Sequence, residues 1–589
     1  GIIQNGIIWS NMGKKVADQL VETLVDAGIK RIYAVTGDSL NEVNDAVRKN
    51  GKIEWIHVRH EETGSYAAAV ESELNGIACC AGSSGPGHIH LINGLYEAHR
   101  SNASVLAIAS TCATHEFGMA YFQETNVTKL YEDCSCYSQI ANTPAQFSRM
   151  LQAALQHAVH LNDVAVLGLP GDVAAADAEE ILTTTHLLPT KGIYRAQDSE
   201  IQELANLINN HQKITIYCGI GVKNAHTELL QLASLIKSPV AYSFRAKMAV
   251  QYENPYEIGM TGLLGLPSAY ESMHESELLI LLGTDFPYES FMPKKLKIVQ
   301  VDCKPERIGR RAQVDMALGG DVAATLQVLL PLIKNKEDDS FLKSQLGLYG
   351  KVKKNLLTYV KDRGKENEIS PEFVAHTINR LATNDAIFTV DTGMCCVWGA
   401  RYLEATGKRE MLGSFSHGSM ANAMPMAIGA ALARPKQQVI ALCGDGGLSM
   451  MLGDLATIVQ YKLPVKLVVF NNRSLGMVKL EMEVAGLPDW QTEMYNPDFA
   501  AVAAAMGMKS FTITDPDKVE ETLRIAFALE GPVLVSVSTD PNSLAMPPKV
   551  EFSQMKGFAT SMAKLIMNGR IDKVIDTAKS NVKHLGDLV

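Results

Sequence analysis

No apolar run in this chain is long enough to cross a bilayer. A spanning helix needs about 18 consecutive apolar residues, and every apolar stretch among the 589 residues is interrupted before that length. The first 11 residues have neither a basic segment nor a small-residue cleavage site, so we expect no signal peptide and take Met12 as the natural start. We therefore expect a cytoplasmic protein.

Cysteine motifs and basic stripes are also missing. The ten cysteines form no C-x-x-C pair and no His-containing zinc spacing, so we expect most of them to be small core residues in a reducing compartment. The net charge is −10, and no basic stripe follows any segment. A nucleic-acid partner is not expected, because a surface that tracks phosphates needs such a stripe.

The composition is that of an ordinary globular protein, 47% apolar and 20% charged. The chain is too long to fold around a single hydrophobic core, so several domains are expected. Strand-like and helix-like runs alternate in three blocks, at about 12–180, 199–335 and 369–545. This alternation predicts an α/β protein of three doubly wound parallel-sheet domains. A Thr/Pro-rich linker follows the first block, 335–368 reads as an exposed helix and connector, and 546–589 reads as an amphipathic helical tail.

Two predicted strands end in oxygen-bearing side chains. Asp445 follows the apolar run Val439–Cys443, and Asn472 follows Val465–Phe470, 27 positions after Asp445. Parallel neighbours would bring both ends to one sheet edge, where Leu448–Tyr461 is predicted to begin a helix that points at an anion. Gly-Asp-Gly alone is a common turn, but this pairing predicts a site for Mg²⁺ and a diphosphate.

Several segments strengthen this interpretation: RHEE at 59–62, GSSGPG at 82–87, FQET at 122–125, GMTGLLG at 259–265, GTDFPY at 283–288 and HGSMANAMP at 417–425. With the Asp445/Asn472 pair, they resemble the thiamine diphosphate (ThDP)-dependent enzymes, in particular the quinone-linked pyruvate dehydrogenases and pyruvate oxidases. The resemblance implies a ThDP pyrimidine-binding domain (12–180), a central FAD-binding domain (199–335), a ThDP diphosphate and Mg²⁺ domain (369–545) and a membrane-binding tail (546–589). It also implies a homo-oligomer, expected to be a tetramer.

The resemblance assigns roles residue by residue. Glu61, Phe122, Gln123 and Met477 would be catalytic, with Glu61 reaching the pyrimidine ring from a neighbouring subunit. ThDP would contact Glu61, Gly418, Ser419, Met420 as the wedge between its rings, Asp445, Gly446, Gly447, Asn472, Arg473, Ser474, Leu475, Gly476, Met477 and Val478. The metal would be held by Asp445, Asn472 and the carbonyl of Ser474.

For FAD, the resemblance selects Thr261, Gly262, Leu263, Leu264, Thr284, Asp285, Phe286, Pro287, Tyr288 and Asp302. The fragment Gly219-Ile220-Gly221 is too short to count as a dinucleotide fingerprint. A degenerate middle domain without flavin is the alternative. Three matched segments favour FAD.

The implied reaction is oxidative decarboxylation of pyruvate to acetate and CO₂ through a ThDP enamine, with electrons passing through FAD to a membrane quinone. Two departures from the family pattern stand out. Met477 replaces a phenylalanine thought to swing into the site, and His88 replaces an asparagine. His88 and His90 receive no catalytic assignment, and Glu62 is expected to be a solvated helix residue.

The tail shows two amphipathic stripes. Met555, Phe558, Ala559, Met562, Leu565 and Ile566 share one face, opposite Lys556, Thr560 and Lys564, and a second stripe contains Ile571, Val574, Ile575, Ala578 and Val582. Residues 549–589 carry seven basic and four acidic side chains, a net charge of +3 that suits anionic lipid. We expect these stripes to dock on the protein at rest and to bind the inner face of the cell membrane when the flavin is reduced.

Three alternatives remain open. Acetolactate synthase and a phosphate-dependent, oxygen-reducing pyruvate oxidase would use the same cofactors. Acetolactate synthases typically carry Gln where this chain has Glu62, which argues mildly against the first. An inactive lipid-binding scaffold is the alternative from a different class, and intact Glu61, Asp445 and Asn472 argue against it.

Overall fold

The computed structural model describes residues 13–179, 187–262, 264–286, 288–544, 552–568 and 570–585. These residues contain three six-stranded parallel sheets with flanking helices, so the predicted α/β fold with three domains is confirmed. All ten cysteines are described and none is in a disulfide. Seven of them are buried, as expected for small core residues. No helix in the described ranges is both long and apolar enough to span a membrane.

The first domain contains one parallel sheet. Its strands are β1 (Arg31–Ala34), β2 (Glu54–His57), β3 (Ile77–Gly82), β4 (Ser104–Thr111), β5 (Tyr137–Ile140) and β6 (Val164–Pro170). Its helices are α1 (Val16–Asp26), α2 (Asn41–Asn50), α3 (Glu61–Asn75), α4 (Pro86–Ile89), α5 (Ile92–Arg100), α6 (Val127–Leu130), α7 (Pro144–Leu161) and α8 (Gly171–Ala175). The strand order is β2-β1-β3-β4-β6-β5. Every residue of β4 and β6 is buried, as expected for central strands covered on both faces.

The second domain has a different topology. Its strands are β7 (Ile214–Cys218), β8 (Val240–Tyr242), β9 (Glu257–Met260), β10 (Leu278–Leu282), β11 (Lys297–Asp302) and β12 (Met316–Gly319), and its helices are α9 (Asp198–Asn209), α10 (His226–Ile236), α11 (Lys247–Val250), α12 (Pro267–Glu275) and α13 (Val322–Leu329). The order is β12-β11-β10-β7-β8-β9, so the chain reverses direction across the sheet between β7 and β10. This 3-2-1-4-5-6 pattern is typical of dinucleotide-binding sheets, which bind ligand at that reversal.

A long helix, α14 (Ser340–Lys361), follows, and then a short antiparallel pair, β13 (Gly364–Lys365) and β14 (Glu368–Ile369). The prediction of an exposed connector is wrong for one face of α14. Leu342, Tyr349 and Tyr359 on that face are buried. The helix therefore contributes to the core rather than only linking two domains.

The third domain repeats the strand order of the first. Its strands are β15 (Ile387–Val390), β16 (Glu410–Gly413), β17 (Val439–Gly444), β18 (Val465–Asn471), β19 (Lys509–Ile513) and β20 (Val533–Ser538). Its helices are α15 (Pro371–Leu381), α16 (Met394–Tyr402), α17 (Ala423–Ala433), α18 (Asp445–Met450), α19 (Leu455–Gln460), α20 (Gly476–Val484), α21 (Phe499–Ala505) and α22 (Val519–Ala528). The order β16-β15-β17-β18-β20-β19 matches that of the first sheet position by position. The helix predicted at Leu448–Tyr461 instead begins at Asp445 and is interrupted between α18 and α19.

Short 3₁₀ turns lie at Asp38–Leu40, Thr114–Glu116, Ile220–Val222, Phe244–Ala246, Glu289–Phe291, Pro305–Arg307, Leu330–Leu332, Leu452–Asp454 and Pro516–Lys518.

The chain divides into two compact units. One contains the first sheet together with Pro425–Pro435 and Met451–Tyr461, and the other contains the remaining two sheets and the tail helices.

The tail forms two helices, α23 (Phe552–Met567) and α24 (Ile571–Leu585). Ser561 is buried and donates to the Leu487 carbonyl at 2.8 Å, while Ser580 donates to Asp540 at 2.6 Å. The second predicted stripe does not dock, because Ile571 is 54% exposed and Ile575 is 45% exposed. The expectation that the apolar stripe of α24 docks is therefore wrong. Polar side chains of α24 hold it instead: Lys573 pairs with Asp489, and Ser580 donates to Asp540. The side chains of Met555, Phe558, Ala559 and Val582 lie outside the described residues.

Candidate active site

Asp445 and the Asn472 loop meet at the carboxyl edge of the third sheet. Strands β17 and β18 pair in parallel with Gly444 opposite Phe470, so both loops leave the sheet at the same end. The backbone N–H of Arg473 donates to Asp445 Oδ2 at 2.7 Å, and Asn496 Nδ2 donates to the same oxygen at 2.8 Å. The juxtaposition predicted from the two strand ends is therefore present, and Asn496 joins it from 51 residues beyond Asp445.

The two glycines that follow Asp445 stand at positions with little room for a Cβ atom. A Cβ on Gly447 would lie 2.5 Å from Asp391 Oδ2, and one on Gly446 would lie 3.3 Å from Met420 Cε. Gly446 N–H donates to Asp445 Oδ1 at 2.8 Å. Backbone without side chains, in the first turn of α18 at the edge of the sheet, is suited to close approach by a phosphate group.

Asp391 holds three loops of this site together. It is fully buried and accepts from the backbone N–H of Gly444 at 3.0 Å and of Ala423 at 2.8 Å. Burial raises the pKa of its carboxyl to about 7, although these hydrogen bonds act in the opposite direction. The sequence interpretation missed Asp391, which sits at the end of β15 as Asp445 sits at the end of β17 and could have been found by the same rule.

Two hydroxyl groups of the site have no hydrogen-bond partner in the described part of the chain. Ser474 Oγ and Thr392 Oγ1 are buried with no hydrogen-bond partner among the described residues. Burial also raises the pKa of Asp445, against the hydrogen bonds from Gly446, Asn496 and Arg473. Because buried polar groups are normally satisfied, these atoms fit a site that a cation and an anionic ligand complete.

The other predicted ThDP residues of the third domain lie in the segment before α17, in the loop after Asn472 and in the first turn of α20. Gly418 is exposed, and Ser419 and Met420 are half-buried. Arg473 has a left-handed backbone, φ +55°, that turns the loop after Asn472. A Cβ on Gly476 would lie 2.8 Å from Met394 Cγ, so this glycine permits the close approach of α20 to α16. Leu475 caps α20, Met477 packs partly against the core, and Val478 is 44% exposed.

Glu61 begins α3 in the first domain and is 7% exposed. Its Oε2 lies 2.7 Å from Nδ1 of His90, and the His90 ring stacks on the ring of His60 at a centroid distance of 4.3 Å. Position one of a helix favours a negative charge. Ligand atoms of these three residues lie within 4.8 Å of one another, the one such cluster of metal-binding groups among the described residues. The sequence interpretation left His90 unassigned and so missed this contact.

Glu62 is not a solvated helix residue. Its Oε1 accepts from Asn93 Nδ2 at 2.5 Å and from the Tyr66 hydroxyl at 3.3 Å, and its side chain is half-buried. That prediction is wrong because α5 packs along α3 and presents Asn93 to the carboxylate. Glu61 and Glu62 are both held in place, each by a different partner.

Phe122 and Gln123 lie in the loop after β4. Phe122 is 76% exposed, whereas Gln123 has φ +61° and accepts from the Ser84 hydroxyl through its carbonyl at 2.9 Å. His88 is buried with its two ring nitrogens 2.6 Å from Tyr131 and Thr125. Burial lowers the pKa of His88 to about 4, so this imidazole is a neutral structural group at neutral pH.

The segments predicted to bind FAD follow the strands of the second sheet. Thr261 and Thr284 are buried, Gly262 has φ +104°, Leu264 and Asp285 are half-buried, Phe286 is buried, and Tyr288 is 41% exposed. Leu263 and Pro287 lie outside the described residues. Asp285 pairs with Arg310 and Arg311.

The loops after β7 and β10 approach each other closely at the reversal of strand order. A Cβ on Gly219 would lie 2.3 Å from the Gly283 carbonyl oxygen, which only glycine allows. Thr261 Oγ1 is buried without a hydrogen-bond partner among the described residues. Burial raises the pKa of Asp302 at the end of β11, although its carboxylate accepts from the Lys304 N–H at 2.8 Å.

Comparison with known proteins agrees with this division of the chain. Residues 14–130 match the N-terminal TPP binding domain of thiamine pyrophosphate enzymes, residues 201–329 match their central domain, and residues 391–537 match their C-terminal TPP binding domain. The chain is 34% identical over 560 residues to a putative thiamine pyrophosphate-containing protein, YdaP, of Bacillus subtilis, covering 94% of this chain and 96% of the relative.

Two further relatives are named for reactions. A pyruvate oxidase of Lactiplantibacillus plantarum is 30% identical over 527 residues, 88% of this chain and 87% of the relative. An acetolactate synthase large subunit of Porphyra purpurea is 28% identical over 575 residues, 92% of this chain and 95% of the relative. With three matched domains in order and these relatives along nearly its whole length, the chain belongs to the thiamine pyrophosphate enzyme family.

Proposed function

We propose that this protein oxidatively decarboxylates pyruvate to acetate and CO₂ with ThDP, Mg²⁺ and FAD, and passes the electrons to a membrane quinone. When bound, ThDP supplies a nucleophilic carbon and an electron sink for the decarboxylation of 2-oxo acids. Asp445, Asn472 and the Ser474 carbonyl would hold the metal, because they are hard oxygen donors at the sheet edge where the bare glycine backbone lies.

Side chains of this protein would activate the cofactor, support its conformation and position the substrate. Glu61, buried and 2.7 Å from His90, would hold a negative charge against the aminopyrimidine of the cofactor. Met420, whose Cε lies beside Gly446, would support the cofactor between its two rings. Phe122 and Gln123 would position pyruvate, and Met477 would take the place of the family's mobile phenylalanine.

One observation carries the oxidative part of the proposal. The second sheet has the strand order of a dinucleotide-binding domain, and the predicted FAD segments lie after the strands on both sides of its reversal. The Thr261 hydroxyl, which follows β9, is buried and has no hydrogen-bond partner among the described residues, as expected for a group that a ligand completes. A middle domain that binds a flavin supports an oxidase or dehydrogenase over a plain decarboxylase.

We expect the purified protein to be yellow and its flavin absorbance to bleach when pyruvate is added without oxygen. Acetate should then accumulate with a quinone or a soluble dye as acceptor, in the same yield with and without phosphate. The measurement is product analysis during dye reduction, with heat-inactivated protein as control. Bleaching without acetate formation would contradict the proposed product.

Acetolactate synthesis is the second candidate, because a relative with that name aligns over 92% of this chain. It predicts acetolactate from two pyruvates with no dye reduction. A phosphate-dependent pyruvate oxidase predicts acetyl phosphate and a need for phosphate. The same assay therefore separates all three reactions, and an inactive scaffold would form none of these products.

We also propose that the tail binds an anionic lipid surface on the inner face of the cell membrane, and that the enzyme is a homotetramer. The exposed apolar side chains Ile566, Met567, Ile571 and Ile575 support the first proposal. Basic residues flank them, including Arg570 and Lys579, as in helices that lie in a bilayer interface. Sedimentation analysis of the holoenzyme tests the oligomeric state.

Deleting residues 549–589 should leave pyruvate-dependent dye reduction within about twofold, because the site residues lie elsewhere, and should abolish binding to anionic liposomes. A milder variant, Ile571→Asp with Ile575→Asp, should lose most liposome binding while keeping the docked tail, since both side chains are exposed. The matched control is Asp572→Asn on the same helix. Truncated enzyme that still sediments with liposomes would place membrane binding elsewhere.

A further inference from the structure

A buried carboxylate lies in α20, the helix against which the C-terminal helix α23 packs. Glu483 is in the last turn of α20 and is fully buried. Both of its carboxylate oxygens lack a hydrogen-bond partner among the described residues. An ionised carboxylate in such a place is costly, so it is normally paired or protonated.

The nearby cations are already engaged by other groups. Lys479, one turn earlier on α20, donates to Asn542 Oδ1 at 2.8 Å. Lys573 on α24 lies 3.1 Å from Asp489 Oδ2 and 2.6 Å from Glu493 Oε1. Although Lys479 and Lys573 act on Glu483 at a distance, neither forms an ion pair with it in the described structure.

The other charged groups around Glu483 do not neutralise it. Asp489, in the loop after α20, adds repulsion. Burial acts to raise the pKa of Asp489, but the Lys573 hydrogen bond and nearby positive charge hold it below its usual range, so Asp489 stays ionised. On α23, Lys564 donates to the Gly486 carbonyl at 2.8 Å. A proton is therefore the simplest counter-charge for Glu483.

We propose that docking of α23 on α20, together with docking of α24 on α23 and on the Asp489–Glu493 segment, is coupled to uptake of one proton by Glu483, so that the C-terminal helices are held at low pH and loosened at high pH. The device goes beyond the proposed reaction and needs neither lipid nor substrate to operate. It would act on the tail from the helix that begins directly after the Asn472 loop.

The direction follows from linkage. Burial raises the pKa of Glu483 from its ordinary 4.5 to about 7 in the docked state, and we take the ordinary value for the undocked state. A group whose pKa is raised on docking takes up a proton as the helices dock. The contribution of Glu483 to docking is therefore fully present when the pH is below the ordinary pKa of 4.5. That contribution is lost as pH rises toward about 7. Between pH 6 and pH 8 the docking equilibrium should weaken by roughly tenfold.

Limited trypsin cleavage after Arg570 and Lys573 in the full-length holoenzyme measures this equilibrium, because cleavage tracks the open population when opening is fast. The rate should be normalised to an unfolded peptide of the same sequence at each pH. Wild-type cleavage should rise roughly tenfold from pH 6 to pH 8. In Glu483→Gln, which has no charge at either pH, cleavage should stay low and nearly constant.

The matched control is Asp576→Asn, an exposed carboxylate on α24 that should keep the wild-type pH dependence. Glu483→Leu provides a second neutral variant in case the amide of Gln finds a new partner, and it should also remain docked. If wild type shows no pH dependence, or if both neutral variants keep it, the proposal is overturned. Neither result would bear on the pyruvate reaction, which the product assay tests separately.

Discussion

Replacing Glu61 by glutamine is expected to lower turnover by roughly 10²- to 10⁴-fold while leaving ThDP binding within a few-fold of wild type. Glutamine keeps the size of the side chain and one acceptor oxygen, but it cannot carry the negative charge proposed to act on the aminopyrimidine. The contact to His90 at 2.7 Å can be retained by the amide oxygen, so the local structure should persist. The decisive measurement is hydrogen–deuterium exchange at the thiazolium C2 of the bound cofactor.

The neighbouring residue provides the control. Glu62→Gln removes the same charge one position along α3, where the carboxylate meets Asn93 and Tyr66 instead. This variant should exchange at nearly the wild-type rate. An unchanged exchange rate in Glu61→Gln would remove Glu61 from cofactor activation, whatever the effect on turnover.

Asp445→Ala is expected to lose bound ThDP and Mg²⁺ on dialysis, with metal affinity reduced by more than about 100-fold, the upper range for loss of a supporting residue alone. The substitution removes a proposed ligand and also the acceptor for the N–H groups of Gly446 and Arg473. Metal and diphosphate retention should fall together, because each completes the binding of the other. Equilibrium dialysis with quantified ThDP measures the effect.

Asn496→Ala provides a graded comparison. It removes one hydrogen bond to Asp445 Oδ2 at 2.8 Å but leaves the carboxylate in place, so a 10- to 100-fold loss is expected. If flavin is bound as proposed, both variants should remain yellow, since Asp445 lies in the third domain. Stoichiometric ThDP in dialysed Asp445→Ala would show that the metal is held elsewhere.

The sequence predicted the site best where a local pattern determines where a residue lies in the fold. Parallel strands that end in Asp445 and Asn472 must deliver those side chains to one edge, and the structure joins the two segments by a hydrogen bond from the Arg473 N–H to Asp445. Alternating apolar and amphipathic runs likewise predict three parallel sheets. The order of strands within each sheet was not predicted, because it depends on how distant segments pair.

Contacts between distant segments were the main omissions. Nothing local to Asp445 indicates that Asn496 would donate to it, and nothing beside Glu62 indicates Asn93. The face of α24 was also misjudged. An apolar stripe usually marks burial, but here Lys573 finds acidic partners at Asp489 and Glu493, and those ion pairs turn the stripe of Ile571 and Ile575 toward solvent.

Helix α20 has nine residues, about 13 Å of rigid rod. The loop that follows Asn472 leads into its first residue, Gly476. Glu483 lies about two turns further on, on the same side of the helix as Gly476. Removing a single residue from its middle would turn Glu483 through about 100° relative to that loop. Substitutions along this helix are therefore easier to accommodate than any change in its length, so genetic variation here should take the form of exchanged residues rather than insertions or deletions.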